Sequence, residues 1–310
     1  MGKYLVTGVA GFIGAAVARK LISQGHEVMG LDNLSTGFRD NVPPEVEFVE
    51  SDCQNARLYR ERLADCAFDA IFHIAGQSSG EISFDDPVYD LRTNTESTLH
   101  LLDFAVRTGC PRLVYASSMS VYGVQPDKPV REGAATAPES FYGVGKLASE
   151  HYLRLYEKHG VGTTSLRLFN VYGPGQNMKN LRQGMVSIFI AMMLENKHIH
   201  VKGSPNRFRD FVYIDDVVAA FLACLNRPES IGKICNIGGS GKVLVGDLVD
   251  KICRLPNVPV TVEYSGSTAG DVHGIHADIS RARRYLGYTP EVSLDAGLAR
   301  MYAWSTGGNI

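Results

Sequence analysis

The chain has 310 residues, with 31 Lys+Arg against 33 Asp+Glu and a formal net charge of −2. At 45% hydrophobic and 21% charged it is globular in composition, which excludes a disordered chain, and its length suits one large α/β domain or two coupled ones. The near-neutral charge, with no Lys/Arg run, argues against nucleic acid or an anionic membrane as partner, and no apolar run reaches the roughly 18 residues of a membrane span.

The first half alternates β-branched runs with helical patterns. Strands are predicted at 4–7, 27–31, 46–49, 70–74, 113–117 and 164–168. Helices are predicted at 12–24, 93–108 and 142–159, with Gly25 and Gly109 in helix-terminating positions. This alternation predicts a Rossmann-type doubly wound parallel sheet over residues 1–170. After about residue 170 the pattern changes. A Gly/Pro loop at 171–176 is followed by a helix at 185–194 and by short strands at 198–201, 209–212, 233–237 and 261–264. Residues 171–310 read mostly as a smaller α/β substrate domain, with pieces near 210–240 extending the sheet. The six cysteines, Cys53, Cys66, Cys110, Cys224, Cys235 and Cys253, form no CxxC pair and no zinc-ligand spacing. With no signal-peptide pattern at the start, they read as reduced thiols in the cytoplasm.

Residues 7–14 read Thr-Gly-Val-Ala-Gly-Phe-Ile-Gly, so Gly8, Gly11 and Gly14 follow the first strand and open the first helix. Such glycines permit a sharp turn, a close backbone approach to a pyrophosphate and tight helix–sheet packing, and the helix N-terminus offers free N–H groups to phosphate. Asp32 ends the second strand, where a carboxylate accepts from ribose hydroxyls and repels a 2′-phosphate, favouring NAD over NADP. Asp52, after the third strand, reads either as an adenine contact or as a helix cap.

Tyr142 and Lys146 form a Y-x-x-x-K pair, on one face of a helix. The fifth strand ends in Ser117-Ser118, at the carboxyl edge where open α/β sheets bind ligands. A phenol is a poor base at neutral pH, and a nearby ammonium together with a positive nicotinamide is expected to lower its pKa. Ser118 then orients or relays the proton of a substrate hydroxyl. Asp215-Asp216 reads as a helix start, and His273-x-x-His276 lacks further ligands, so no metal is assigned.

In these motifs the sequence resembles the extended short-chain dehydrogenase/reductases, and among them the UDP-galactose 4-epimerase group of NAD-dependent nucleotide-sugar epimerases. The likeness runs almost end to end: TGVAGFIG at 7–14, DNLSTG at 32–37, HIAGQ at 73–77, SSMSVYG at 117–123, YGVGK at 142–146, RLFNVYGPGQ at 167–176 and RFRDFVYIDDVV at 207–218. The resemblance implies Ser118, Tyr142 and Lys146 at the reaction centre. It implies Gly8, Gly11, Phe12, Ile13, Gly14, Asp32, Asn33, Asp52, Cys53, Ala75, Asn94, Ser117, Tyr142 and Lys146 around NAD. Gln77, Ser118, Tyr142, Asn170, Arg209 and Ile275 fall near a nucleotide-diphosphate sugar, with UDP as the nucleotide and Ile275 at the gate beside the hexose. Arg209 offers a planar fork for phosphate oxygens, Arg207 is either a helper or a solvated charge, and Asn170 is either a diphosphate contact or a turn former.

The implied reaction is epimerisation at C4 through a transient 4-keto sugar. The alternatives are a 4,6-dehydratase, another nucleotide-sugar oxidoreductase of the group, or a non-catalytic NAD-binding regulator. Dehydratases of this kind carry a carboxylate pair after the fifth strand, where this chain has Ser118-Met119-Ser120. Three features depart from the relatives: Thr268-Ala269-Gly270-Asp271 lacks a phosphate-gripping Arg, Ile275 stands at the gate, and Ser78 stands where some relatives have Lys. The resemblance also implies a homodimer paired through helices near 88–108 and 142–159, with Leu147, Leu153 and Leu155 as apolar contacts.

Overall fold

The computed structural model describes residues 1–256, 258–267 and 272–308. The 268–271 segment, with its missing Arg, lies outside the described residues. The chain opens with β1 (Lys3–Thr7), α1 (Phe12–Ser23), β2 (Glu27–Asp32), β3 (Glu47–Glu50), β4 (Ala70–His73), α2 (Pro87–Leu91), α3 (Ser97–Thr108), β5 (Arg112–Ser118), α4 (Phe141–Tyr156) and β6 (Gly162–Leu168). It continues with β7 (Asn170–Tyr172), α5 (Met185–Asn196), β8 (His198–Lys202), β9 (Phe208–Arg209), β10 (Phe211–Tyr213), α6 (Ile214–Asn226), β11 (Lys233–Ile237), β12 (Val243–Leu244), α7 (Val245–Cys253), β13 (Thr261–Ser265), α8 (Ser280–Leu286) and α9 (Leu294–Ser305).

Seven parallel strands form one sheet in the order β11-β6-β5-β4-β1-β2-β3. β5 is buried along its whole length, and β4 likewise, as expected of strands covered by helices on both faces. The order reverses direction between β1 and β4, and there the sheet opens at its carboxyl edge. Thr7 holds this point together: its Oγ1 accepts from the Ile74 and Ala75 amides, both at 3.1 Å. One apolar cluster runs from Tyr4 and Val6 through Leu166 and Phe221 to Leu298 and Met301, so residues after 170 share a core with the sheet. Each such fully buried aliphatic side chain contributes about 1.5–3 kcal/mol.

The remaining strands form three small pairs: β7 with β10, β9 with β12, and β8 with β13. Two expectations change here. The strand predicted at 209–212 is two, β9 and β10, split at Asp210. The buried Asp210 carboxylate collects the amides of Gly239, Gly241 and Ala277 at 2.9, 3.1 and 3.1 Å, and this bends the chain. The loop predicted from residue 171 begins as β7, because β10 supplies it with a parallel partner. Asp216 accepts from the Glu291 and Val292 amides, so the second acid of Asp215-Asp216 ties α6 to the C-terminal segment.

Candidate active site

Two grooves meet at Ser78 and Gln183 above the carboxyl edge of the sheet. The first, of about 280 Å³, lies over the β1–β4 opening. Its walls include Gly8, Gly11, Phe12, Ile13, Gly14, Asp32, Asn33, Asp52, Cys53 and Ala75, which brings together most of the residues expected around NAD. Gly8 has φ +72° and its α-carbon faces the Ala75 backbone, where an added Cβ would lie 2.8 Å from the amide nitrogen. Gly14 is tighter still: a Cβ there would sit 2.0 Å from the Gly8 carbonyl oxygen. Helix α1 can therefore start directly under the turn. Its N-cap, Gly11, provides no side-chain acceptor, and its first turn holds no acidic residue, so the leading amides are left to an anion.

The Asp32 carboxylate is buried and accepts from the amides of Ala10 at 2.9 Å and Leu34 at 2.8 Å. Burial raises its pKa against those bonds. A carboxylate has about four acceptor sites, so capacity remains for sugar hydroxyls. Asp52 is no helix cap: it accepts from Asn33 Nδ2 and the Gln54 amide in a local turn beside Asp32. Among the described residues no Lys or Arg lines this groove.

The second groove, of about 310 Å³, is lined by Met119, Ser120, Asn170 and Ile275 together with the cations Arg182, Lys202, Arg207 and Arg209. Arg209 is 2% exposed, and it donates to the carbonyls of Phe208, Val272 and His273 at 2.6, 2.8 and 3.3 Å. These bonds fix the guanidinium in the wall. Asn170 Nδ2 donates to the Asp210 carbonyl at 3.0 Å, so its amide braces the turn that presents Arg209. Ile275 packs with Val121, Tyr122, Val130 and Phe169 and closes the floor. The contributions of Arg182 and Lys202 were not legible in the sequence. They come from a loop and a strand edge, and both pair with Glu81 at the groove wall.

Lys146 stands beside Gly76 of the first groove and Ser118 beside Ser120 of the second, with Tyr142 one turn before Lys146 on α4. All three are buried, at 8, 8 and 3% exposure. Tyr142 and Lys146 stand one turn apart on α4, whose start is capped by Ser140 Oγ on the Gly143 amide. The Lys146 ammonium sits 4.8 Å from the centre of the Tyr115 ring and 5.7 Å from that of Tyr142. It backs the first groove behind Gly76, while the Ser118 Oγ holds the Ser120 amide on the second groove's side. Among the protein's own groups, the pKa of Tyr142 moves opposite to the expectation. Burial pushes the phenol up to about 12, the Ser118 hydroxyl pulls it down, and the Asp90 carboxylate raises it. Burial also lowers Lys146 to about 8, with Asp90 acting the other way.

Three of the expected contact residues make local bonds. Gln77 borders the first groove, and its amide is spent locally: Nε2 donates to the Ser79 carbonyl at 2.7 Å and to Asp90 at 2.9 Å, and Oε1 accepts from the Ser79 amide. Asn94 is buried beneath Gly76, with Nδ2 on the Gln77 carbonyl and Asp90. The Ser117 hydroxyl donates to Glu150 Oε1 at 2.6 Å, two turns along α4 from Tyr142 and on the face of β5 that also presents Tyr115 to Lys146.

Residues 4–238 match the NAD dependent epimerase/dehydratase family. The chain belongs to that family. It is 35% identical to a UDP-glucose 4-epimerase of Mycolicibacterium smegmatis, over 96% of each chain. Its fold superposes on the UDP-glucose 4-epimerase of Thermotoga maritima solved with UDP-glucose, at TM-score 0.92 and 32% identity, covering 98% of this chain and 99% of that one. It also matches the UDP-glucuronic acid 4-epimerase of Bacillus cereus solved with UDP-glucuronic acid and NAD, at TM-score 0.89 and 30% identity, covering 98% and 99%.

Proposed function

We propose that the chain interconverts C4 epimers of a UDP-linked hexose using bound NAD. The observation that carries this reading is one groove without Lys or Arg among its described lining residues beside one rich in them, with Lys146 next to Gly76 of the first and Ser118 bonded to Ser120 of the second. The first groove suits a dinucleotide whose phosphates rest on amides and whose ribose meets Asp32. Asp32, with no Lys or Arg lining that groove among the described residues, favours NAD over its 2′-phosphorylated form. The second suits a sugar diphosphate held by Arg209 and its neighbours.

Bound NAD supplies the hydride acceptor and donor at C4. Tyr142 takes the proton of the 4-hydroxyl as the C4–H bond is broken, and returns it when the ketone is reduced from the other face. Ser118 holds that hydroxyl toward Tyr142. Lys146 supplies the positive charge that eases the phenolate against burial. Residues 118–120 provide no carboxylate for eliminating water across C5 and C6, which favours epimerase over dehydratase. The presence of Tyr142 disfavours a silent regulator.

Residues 171–310 supply most of the sugar-nucleotide side and 1–170 the dinucleotide side. The six unpaired cysteines support a reducing compartment, the cytoplasm. Among the described residues no helix is long and apolar enough to cross a membrane. A homodimer through α2 and α4 is supported by exposed Val88, Leu91, Phe141, Val144 and Leu155. Leu153 is not part of that face, being 1% exposed within the core, and Leu147 packs inward on the Val121 cluster. The mass in solution tests this pairing: two chains per particle support it, and one chain removes it.

The activity is tested by incubating the protein with UDP-glucose, UDP-N-acetylglucosamine, UDP-glucuronic acid and dTDP-glucose and reading products by NMR. A C4 epimer from a UDP-sugar supports the reading. Dehydrated 4-keto sugars alone overturn it.

A further inference from the structure

Asp90 lies at the end of the short helix α2 and is 1% exposed. A carboxylate buried this far is costly unless a charge or a full set of donors compensates it. Its hydrogen bonds do not explain it. Oδ1 accepts from Gln77 Nε2 at 2.9 Å and Asn94 Nδ2 at 3.1 Å, while Oδ2 is buried with no hydrogen-bond partner. The oxygen of a neutral Asn could accept the same two bonds. Burial raises the Asp90 pKa against these two bonds, and the positive group that opposes burial from nearby is Lys146.

The geometry links the two. Asp90 Oδ2 faces the turn of α4 just before Lys146, where a Cβ on Gly145 would meet it at 3.5 Å. The Asn94 amide spans the other side. Its nitrogen is on Asp90, and its carbonyl oxygen, also buried and unpartnered, faces the Gly76 α-carbon that the Lys146 ammonium faces too. The remaining titratable neighbours offer Lys146 no negative charge. Tyr115 on β5 and Tyr142 on α4 present neutral rings, and the buried His73 on β4 is held neutral by burial and by Lys146 itself.

Resting on the reading of Tyr142 and Lys146 as the reaction centre, we propose that Asp90 is the positioning residue that keeps the Lys146 ammonium charged, acting with Asn94 as the spacer between them. Asp90 does not touch substrate in this role. Its charge disfavours the Tyr142 phenolate directly, so its benefit is confined to the pH range in which Lys146 would otherwise lose its proton. That range lies at and above neutrality, since burial already brings Lys146 down to about 8. This predicts a distinctive pH signature rather than a uniform loss.

The test compares Asp90→Asn, which keeps both accepted bonds, with the unmodified full chain. In kcat/KM measured on the UDP-sugar that is turned over, the alkaline limb moves to lower pH by about one unit or more. The loss is therefore about tenfold or more at pH 8.5 and under about threefold at pH 6.5. Asp90→Glu restores part of the shift. An unmoved alkaline limb overturns the proposal, as does an equal loss at both pH values, which marks a purely structural role. A readout independent of turnover is the NMR titration of 13C-lysine-labelled protein, with the Lys146 signal assigned by its loss in Lys146→Met. Its midpoint falls in Asp90→Asn if the proposal holds, even if no UDP-sugar is converted and the functional reading fails. An unchanged midpoint overturns the proposal even in an active epimerase. Should Asp90→Asn not fold, the same titration on Asp90→Ser, which also removes the charge, decides: a lowered Lys146 midpoint supports the link, and an unchanged one removes it.

Discussion

Gly14→Ala probes the dinucleotide cradle with a single methyl group. The added Cβ would lie 2.0 Å from the Gly8 carbonyl oxygen, 2.6 Å from the Gly8 carbonyl carbon and 3.0 Å from the Val9 α-carbon. All three are backbone atoms at the tightest point of the turn, and no rotamer change relieves the clash. Helix α1 must retreat by about 1 Å or more to restore ordinary contact. Overpacking of this kind costs about 1–3 kcal/mol or more, and alanine recovers about 1 kcal/mol of helix propensity. The retreat also withdraws the leading α1 amides from the groove, so we expect NAD affinity to fall by about tenfold or more, equivalent to about 1.4 kcal/mol. NAD titration by calorimetry is the assay. Gly133→Ala is the control, since a Cβ there meets nothing within 4 Å. If Gly14→Ala binds NAD as tightly as the control, the α1 N-terminus is not the phosphate cradle.

Tyr142→Phe should abolish turnover while leaving NAD bound, measured by product NMR and by the nucleotide released on denaturation; retained activity would remove Tyr142 from its role. In the unmodified enzyme, loss of the Lys146 proton near pH 8 takes a positive charge from beside Tyr142, so kcat/KM should decline above that pH rather than below it. A pH–rate profile rising steadily through pH 9 would contradict this. Glu150→Gln should destabilise the fold by about 3–5 kcal/mol, because it strips the counter-ion from Arg167, both side chains being 3% exposed or less. Denaturant unfolding would show the loss, and a change below about 1 kcal/mol would mean that the pair is not a determinant of stability.

The centre of the sheet was legible because β4 and β5 are buried along their whole length, so short, mostly apolar runs mark them without any alternation to misread. The glycine turn was legible because its residues are adjacent in sequence and its chemistry is backbone chemistry. Asp90 was not. It sits in a stretch, Asp85-Asp86-Pro87-Val88-Tyr89-Asp90, that reads as an exposed helix start. Only the packing of α2 against α4 buries it, a contact more than fifty residues apart in sequence. Arg182 and Lys202 were hidden for the same reason, as cations whose common groove exists only after the chain folds. The division at Asp210 escaped notice because hydropathy cannot show a carboxylate gathering amides from two distant loops. The Tyr142 pKa shows the converse failure. Counting charges predicts a lowered value, yet burial, which spacing does not report, outweighs them among the protein's own groups.

The central claim is that the hydrogen at C4 of a UDP-hexose leaves as hydride and returns to the same carbon. The most direct measurement uses UDP-glucose deuterated at C4 in ordinary water. The account predicts a C4 epimer that keeps its deuterium at C4, read by 1H NMR and mass spectrometry. A C4 epimer whose deuterium has been replaced by solvent hydrogen would contradict it.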